Sequence, residues 1–425
     1  MKIPGSVSAT RRLAELKTEL LRRIRGISLV DAFVLVAGLS LALALRISLL
    51  DFKSLDFYAS LKPWYNTIKA GGFAAFASAF STYNPPYLYL LYLIARFAPE
   101  LPVVVAVKLP SLVADFLCAY VVLLIIRTDS SRRDVLSYLA PMAVLFAPSV
   151  VLNSAFWGQA DSLFTAGLLA CVYFLMLRRP GLAMLLFGIA LAFKLQAVFL
   201  APVLAALVIR GNVPWKSLLW IPSILFLATV PSWAAGRPLG ELLHVYAYQA
   251  SQFEFITMNA PSAYAWLPDT KHVFNLLYTP GVIMGTAAAF MFFVLIVGSR
   301  RPIEGRVLLE VTLVSMLLVP LFLPKMHERY FFPADILSIA FAFLYPRFFY
   351  IPILVGGVSF LSYQPFLFER ELVPLSVLAF VLISVTAFLG YHALKQLHDV
   401  AMSGEGDPRD APAEFDDDMA NPGGP

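Results

Sequence analysis

Apolar runs long enough to cross a bilayer recur from residue 29 to about 394, separated by short stretches in which charge collects. None shows the two-residue alternation of barrel strands, so the pattern predicts helices. The fold class it implies is an all-α polytopic membrane protein of about twelve transmembrane helices. The first run, LVDAFVLVAGLSLALALRISLL at 29–50, follows a segment carrying Arg11, Arg12, Lys17, Arg22, Arg23 and Arg25. It is longer than the core of a cleaved signal and has no small-residue cleavage site, so it reads as a retained helix with the N-terminus inside.

From that start the sides alternate. Residues 51–101 make a long first outer loop. Helices over about 102–126, 135–153 and 160–177 then lead through the basic RTDSSRRD loop, the outer segment NSAFWGQAD (153–161) and the inner pair Arg178 and Arg179. The run at 181–209 has inner-type basic residues on both flanks, Arg178/Arg179 and Arg210/Lys216. Two short helices meeting at Lys194–Gln196 satisfy both flanks, which one long span does not. A seventh helix (217–234) precedes a second long outer loop (235–278), the fourth outer segment. An eighth helix reaches Arg300, Arg301 and Arg306, a ninth covers 307–323, and helices ten to twelve end inside. Three parts result: a cytoplasmic basic segment (1–28), a transmembrane domain (29–398) and an acidic cytoplasmic tail (399–425). The tail is Gly-, Pro- and Asp-rich and is expected to be disordered.

Composition agrees. Sixty per cent of the chain is hydrophobic and only 14% is charged, far from a soluble domain. The excess of Lys and Arg gathers in the inner loops, so the net +5 charge follows the positive-inside rule and calls for no nucleic acid. Cys118 and Cys171 both lie inside apolar segments and suggest neither a disulfide frame nor a thiol metal site. No internal repeat is visible, which disfavours transporter folds built from inverted halves.

The most unusual stretch is LPKMHERYFFPAD, 323–335, where Lys325, His327, Glu328, Arg329 and Asp335 crowd between two apolar segments. Each charge at the centre of a bilayer costs about 2.5–3.5 kcal/mol on insertion scales, so the cluster faces water or forms a site. The topology puts the other polar candidates on the same, outer side. They are Asp51, Lys53, Asp56, Lys62 and Lys69; Trp157, Gln159 and Asp161; Lys194; and Asn259, His272 and Asn275. The helix centres read as nearly free of charge, which favours chemistry at a membrane surface over passage through it. A carboxylate, several fixed cations and lipid access suit transfer of a group from a lipid phosphate. The carboxylate accepts a proton from the attacking hydroxyl, and the cations stabilise charge growing on the leaving phosphate. Arg offers phosphate a planar fork; Lys offers a movable point charge.

The ordered set LDFYASLKPWYNTIKAGGFAAF, YNPPYLYLLYLI, KLPSLVADF, NSAFWGQADSLF, FGIALAFKLQAVFLAP and KMHERYFFP resembles membrane glycosyltransferases of the GT-C superfamily. The nearest group is the prokaryotic mannosyltransferases related to the glycosylphosphatidylinositol pathway. The resemblance covers roughly residues 30–335. It implies a GT-C fold and inverting transfer of a hexose, mannose above others, from a polyprenyl-phosphate donor. The acceptor is a lipid, glycan or protein at the outer face of a bacterial or archaeal plasma membrane. It makes Asp56, followed by Trp64 in PWY, the expected base, with Asp51 in reserve. Trp157 is expected against the sugar, with Gln159 and Asp161 on its hydroxyls or on the acceptor. Lys194 and Gln196 match a Lys-x-Gln position, although KLQ lacks the family's usual middle proline. His327 and Arg329 are the expected phosphate contacts, helped by Lys325, while Glu328 pairs with Arg329 or Lys325. No His/Cys cluster has ligand spacing, so neither metal nor cofactor is expected. The alternatives are a flippase or transporter of lipid-linked saccharides, which needs a polar path through the helices, and a catalytically dead scaffold of an envelope-assembly complex.

Overall fold

The computed structural model of the chain describes residues 29–129, 135–245, 253–268 and 270–398. The basic N-terminal segment, the acidic tail and the Arg132–Arg133 part of RTDSSRRD lie outside the described residues.

The described chain is helical almost throughout. Helix α1 (Leu29–Ser48) leads to two short helices, α2 (Lys62–Gly71) and α3 (Pro85–Phe97), and then to the long α4 (Val103–Ile126). Next comes α5 (Leu139–Phe146), bent by 53° from the following Pro148–Trp157 segment. Pro148 causes the bend, because it forces Ala147 out of helical geometry, to ψ 122°. Helices α6 (Asp161–Met176), α7 (Pro180–Phe193) and α8 (Ala201–Ile209) are short and apolar, and α9 is Trp220–Ala234. The rest are α10 (Lys271–Val297), α11 (Gly305–Phe322), α12 (Phe332–Leu344), α13 (Ile351–Phe368) and α14 (Leu375–His398). Among the described residues, seven helices are long and apolar enough to cross a membrane, or eight if the bent pair is one span. The break expected inside 181–209 is present at Lys194, which is extended at φ −148° and ψ 138°.

Helices α11 and α4 form the centre of the bundle. The most apolar stretch of α11 is 72% buried, whereas that of α9 is 11% buried and leaves its surface to lipid. Cys118 and Cys171 are buried packing residues. Small residues permit the closest approaches. A Cβ on Gly167 of α6 would lie 3.0 Å from Ala190 Cβ on α7. One on Gly285 of α10 would lie 2.6 Å from Leu323 Cδ2 and 3.0 Å from the Leu323 backbone nitrogen.

Two sequence expectations change. The first loop is not loop-like: it folds into α2 and α3 around a small core, including Phe57, Leu61, Trp64, Tyr65, Ile68 and Phe76, that it shares with Val104 and Val107 at the start of α4. Helices of 10 and 13 residues are too short to cross a bilayer, so a search for spans passes over them. Second, the helix interiors are not free of charge. Arg46, Lys108, Asp115, Glu310 and Asp335 are all essentially buried within helices. Each has a partner on another segment. Arg46 pairs with Asp115 at 2.9 Å, and Lys108 Nζ donates to the carbonyls of Leu50 (2.9 Å) and Phe52 (2.7 Å). Glu310 accepts from Gln396 at 2.7 Å, and Asp335 from Ser359 at 2.7 Å. Single charges embedded in apolar runs leave the average hydropathy high, which is why the pattern hides them.

Since the neighbour of Gly285 includes backbone, Gly285→Ala cannot be absorbed by a side-chain rotation alone. We expect it to cost about 1–3 kcal/mol, seen as a lower melting temperature in detergent. Unchanged melting would show that α10 and the Leu323 backbone are not in tight contact.

Candidate active site

The segment NSAFWGQAD shapes the site. Its first part lies in a π-turn, Leu152–Trp157, which ends at Gly158 in the left-handed region (φ 86°). A Cβ at Gly158 would also press on Lys108 Cγ at 3.3 Å, so both conformation and space favour glycine. The turn closes through Gly158 N–H to Ser154 O (3.1 Å) and Gln159 N–H to Asn153 O (2.9 Å). This geometry aims Trp157 and Gln159 at one acceptor. Trp157 Nε1 and Gln159 Nε2 donate to Asp56 Oδ2 at 2.8 and 2.6 Å. Asp56 is half-buried, and its Oδ1 takes no hydrogen bond among the described residues. Ser54 ties the two strands of this contact, donating to Trp157 O at 3.1 Å and accepting from Phe57 N–H at 3.2 Å.

The second carboxylate, Asp161, opens α6 and is buried. Its Oδ1 meets Lys194 Nζ at 2.6 Å, its Oδ2 accepts from Asn153 at 2.9 Å, and Arg329 Nε lies 4.0 Å away. Lys194 reaches it because α7 stops there and the backbone turns extended. Tyr83 closes a ring between the two carboxylates. Its hydroxyl donates to Gln159 Oε1 at 2.9 Å, and Lys194 Nζ sits 5.0 Å from its ring centre. Trp64 packs beside Tyr83, ring centres 5.0 Å apart. Arg329 joins from the other side, its guanidinium 5.3 Å from the centre of the Trp157 ring. Thus one indole gives its N–H to Asp56 and its face to Arg329.

That placement leaves Trp157 little room for a sugar. The ring is fully buried, stacked on Phe366 at 4.8 Å and met by the edge of Tyr363 at 5.5 Å. Glu328 lies 3.4 Å from Arg329 and 3.8 Å from His327 Nδ1. The short parallel pair Thr257–Met258 (β1) and Met326–His327 (β2) holds His327 in register. Burial, and then the Arg329 charge, push the His327 pKa below its usual 6.5, so its imidazole is neutral at pH 7. Lys325 is turned elsewhere. It has a positive φ of 62°, and its ammonium lies over Phe274 (5.2 Å) and Tyr278 (4.8 Å) of α10. Gln196 lies next to the Tyr330 side chain. Asp335, the last residue of the charged stretch, belongs to the α12–α13 contact and not to this site.

Structure therefore brings Asp56, Trp64, Trp157, Gln159, Asp161, Lys194, Glu328 and Arg329 into one connected network, with His327 and Gln196 at its edge. It adds Asn153, Tyr83 and Tyr330. Asn153 and Tyr83 lie within the motif stretches, but the contacts they make depend on the π-turn and on the path of the first loop. Among the described residues no three His, Cys, Asp or Glu side chains gather as a metal site. A half-buried carboxylate with one open oxygen can accept a proton, and a guanidinium and an ammonium linked to it through Trp157, Gln159 and Tyr83 can hold an anionic leaving group.

Removing Lys194 leaves Asp161 buried with its closest cation gone. We expect Lys194→Met to lower stability by roughly 3–5 kcal/mol, and Lys194→Met with Asp161→Leu to recover most of it. Thermal melting of both variants checks this; no recovery in the double variant would refute the pairing.

No protein-family profile matches the chain, and no curated protein matches it in sequence. Among solved structures it is similar to that of ArnT from Cupriavidus metallidurans bound to undecaprenyl phosphate. The TM-score is 0.50 at 13% identity, over 85% of this chain and 77% of that one. At that identity the likeness is one of fold: the chain shares the all-α, membrane-spanning architecture of that protein.

Proposed function

We propose that the chain is an inverting glycosyltransferase moving a hexose from a polyprenyl-phosphate donor to a lipid, glycan or protein acceptor. Mannose is the sugar that the resemblance to prokaryotic mannosyltransferases implies. The reaction takes place at the outer face of a bacterial or archaeal plasma membrane, with both termini in the cytoplasm. One observation carries the reading: Asp56 is oriented by Trp157 and Gln159, which link it through the Trp157 ring to Arg329 and through Tyr83 to Lys194. The shared fold with a protein whose structure holds undecaprenyl phosphate supports the donor class.

In this mechanism Asp56 Oδ1 takes the proton of the acceptor hydroxyl, whose oxygen attacks the anomeric carbon from the face opposite the phosphate. The glycosidic bond to the carrier breaks, and its electron pair leaves on the phosphate oxygen. Arg329 presents its fork to that phosphate and Lys194 adds a second charge. Asp161 holds Lys194 and stands near Arg329, so it acts through the cations, and Glu328 steadies Arg329 from the other side. Neutral His327 contributes an N–H to the phosphate. Trp157 and Trp64 serve as struts, Gln196 steadies Tyr330, and Lys325 guards the α10 side.

The test is incubation of purified protein with labelled polyprenyl-phosphate mannose and membrane extract, followed by identification of the labelled product. Gradient-dependent flux of donor across liposomes without product would establish a flippase instead. Asp56→Asn should lower transfer by roughly 10²–10⁴-fold with donor binding retained, and wild-type turnover would sink the base assignment. Arg329→Ala should weaken donor binding by about 10–100-fold, the worth of charge-assisted hydrogen bonds; unaltered binding would remove Arg329 from the phosphate.

A further inference from the structure

Behind the site lies a second charged pair that the mechanism does not use. Arg46, in the last turn of α1, and Asp115, within α4, are both wholly buried. Arg46 Nε donates to Asp115 Oδ2 at 3.0 Å, and its Nη2 lies 2.9 Å from the same oxygen. Its Nη1 donates to Leu145 O at 2.9 Å, in the last turn of α5 just before the bend at Pro148. The Ser154 hydroxyl donates to Asp115 Oδ2 as well. One guanidinium and one carboxylate thereby join α1, α4, the end of α5 and the π-turn.

Ser154 lies between two residues that face the site, Asn153 bonded to Asp161 and Trp157 bonded to Asp56. A single π-turn is easily reset to α register, and a one-residue reset rotates a side chain about 100° around the axis. Trp157 would then lose Asp56. The bond from Ser154 to Asp115 fixes that rotation. Stability alone is a poor reason for such a pair, because well-packed apolar side chains of similar volume are often as stable as a buried ion pair. They supply neither an acceptor for Ser154 nor a donor for Leu145 O.

We infer that Arg46 and Asp115 are positioning residues that set the Asn153–Gln159 turn from beneath and so hold Trp157 against Asp56. The consequence for turnover rests on the glycosyl-transfer reading above; the consequence for the place of Trp157 does not.

The test uses the full chain in lipid nanodiscs, labelled with 5-fluorotryptophan. Its six tryptophans give six fluorine resonances, and Trp157→Phe identifies the one from Trp157. Arg46→Met with Asp115→Leu removes both charges together, leaving Ser154 only its fallback acceptor, Val150 O at 3.0 Å. This variant should melt close to wild type yet shift or broaden the Trp157 resonance. Its kcat should fall at least about tenfold, with the donor KM changed less than about twofold, since an interaction that orients the reacting groups is lost while donor contacts remain. Ser154→Ala keeps the ion pair and should move the same resonance; it decides the matter should the double variant fail to fold. An unchanged Trp157 resonance in the folded variants overturns the proposal, and so does a moved resonance with wild-type turnover. If the resonance moves but the wild-type protein transfers no sugar, the positioning role stands and the glycosyl-transfer reading fails.

Discussion

The ion pair between Lys194 and Asp161 is the constraint on which the site depends. Asp161 opens a helix inside the bundle, where an unpaired carboxylate is costly, and its closest cation sits 2.6 Å away. That cation arrives only because α7 ends at Lys194 and the next residues take a different course, the short 3₁₀ turn Leu195–Leu200. Irregular backbone within a membrane protein is tolerated where protein or a cavity surrounds it. The broken helix and the buried carboxylate therefore explain one another. A continuous helix over 180–209 would carry Lys194 on through the apolar run and leave Asp161 with Asn153 and the more distant Arg329 alone.

This arrangement also separates the roles of the two carboxylates. Asp161 is matched by an ammonium and stands 4.0 Å from a guanidinium, with a neutral amide on its second oxygen. Asp56 has only neutral donors, both on one oxygen. A carboxylate fully engaged with cations is a scaffold for those cations. One held by neutral N–H groups on a single oxygen keeps the other open, with its orientation already fixed, as the proposed proton transfer requires. Asp56 and Asp161 are similar in chemistry and differ in what surrounds them, and the π-turn that sends Trp157 and Gln159 to the one and Asn153 to the other creates the difference.

Much of the fold was legible because bilayer crossing imposes a length and an apolarity that any span must show. The break at Lys194 could be read for a related reason: basic residues on both flanks of 181–209 require the chain to return to the side it left. The first loop was not, since helices that lie beside the bundle need only a local apolar face, such as that of Phe57, Leu61, Trp64 and Ile68. Of the site, the residue types and the segments carrying them were legible, but their partners were not. Asp56 meets Trp157 and Gln159 across more than a hundred residues, and no spacing rule connects them. Trp157 shows the limit most clearly. An aromatic beside Gln and Asp suggests a sugar platform, and no spacing shows that the ring is buried between Phe366 and Arg329.

The buried charges complete the same logic. Arg46, Lys108 and Asp115 sit where the sequence reads as apolar, and Lys108 and Asp115 each act on a segment bearing a site residue. Lys108 holds the carbonyls of Leu50 and Phe52 just ahead of Asp56, and its aliphatic stem packs against Gly158. Asp115 receives Ser154 from the turn that carries Trp157. An apolar core can press these two segments together but has no directional preference that would fix their rotation. Hydrogen bonds do, and inside a low-dielectric bundle they are also the contacts whose loss is most costly. Lys108 and Asp115, hidden within a helix, thus supply the directional contacts by which an apolar scaffold sets the two segments that carry Asp56 and Trp157.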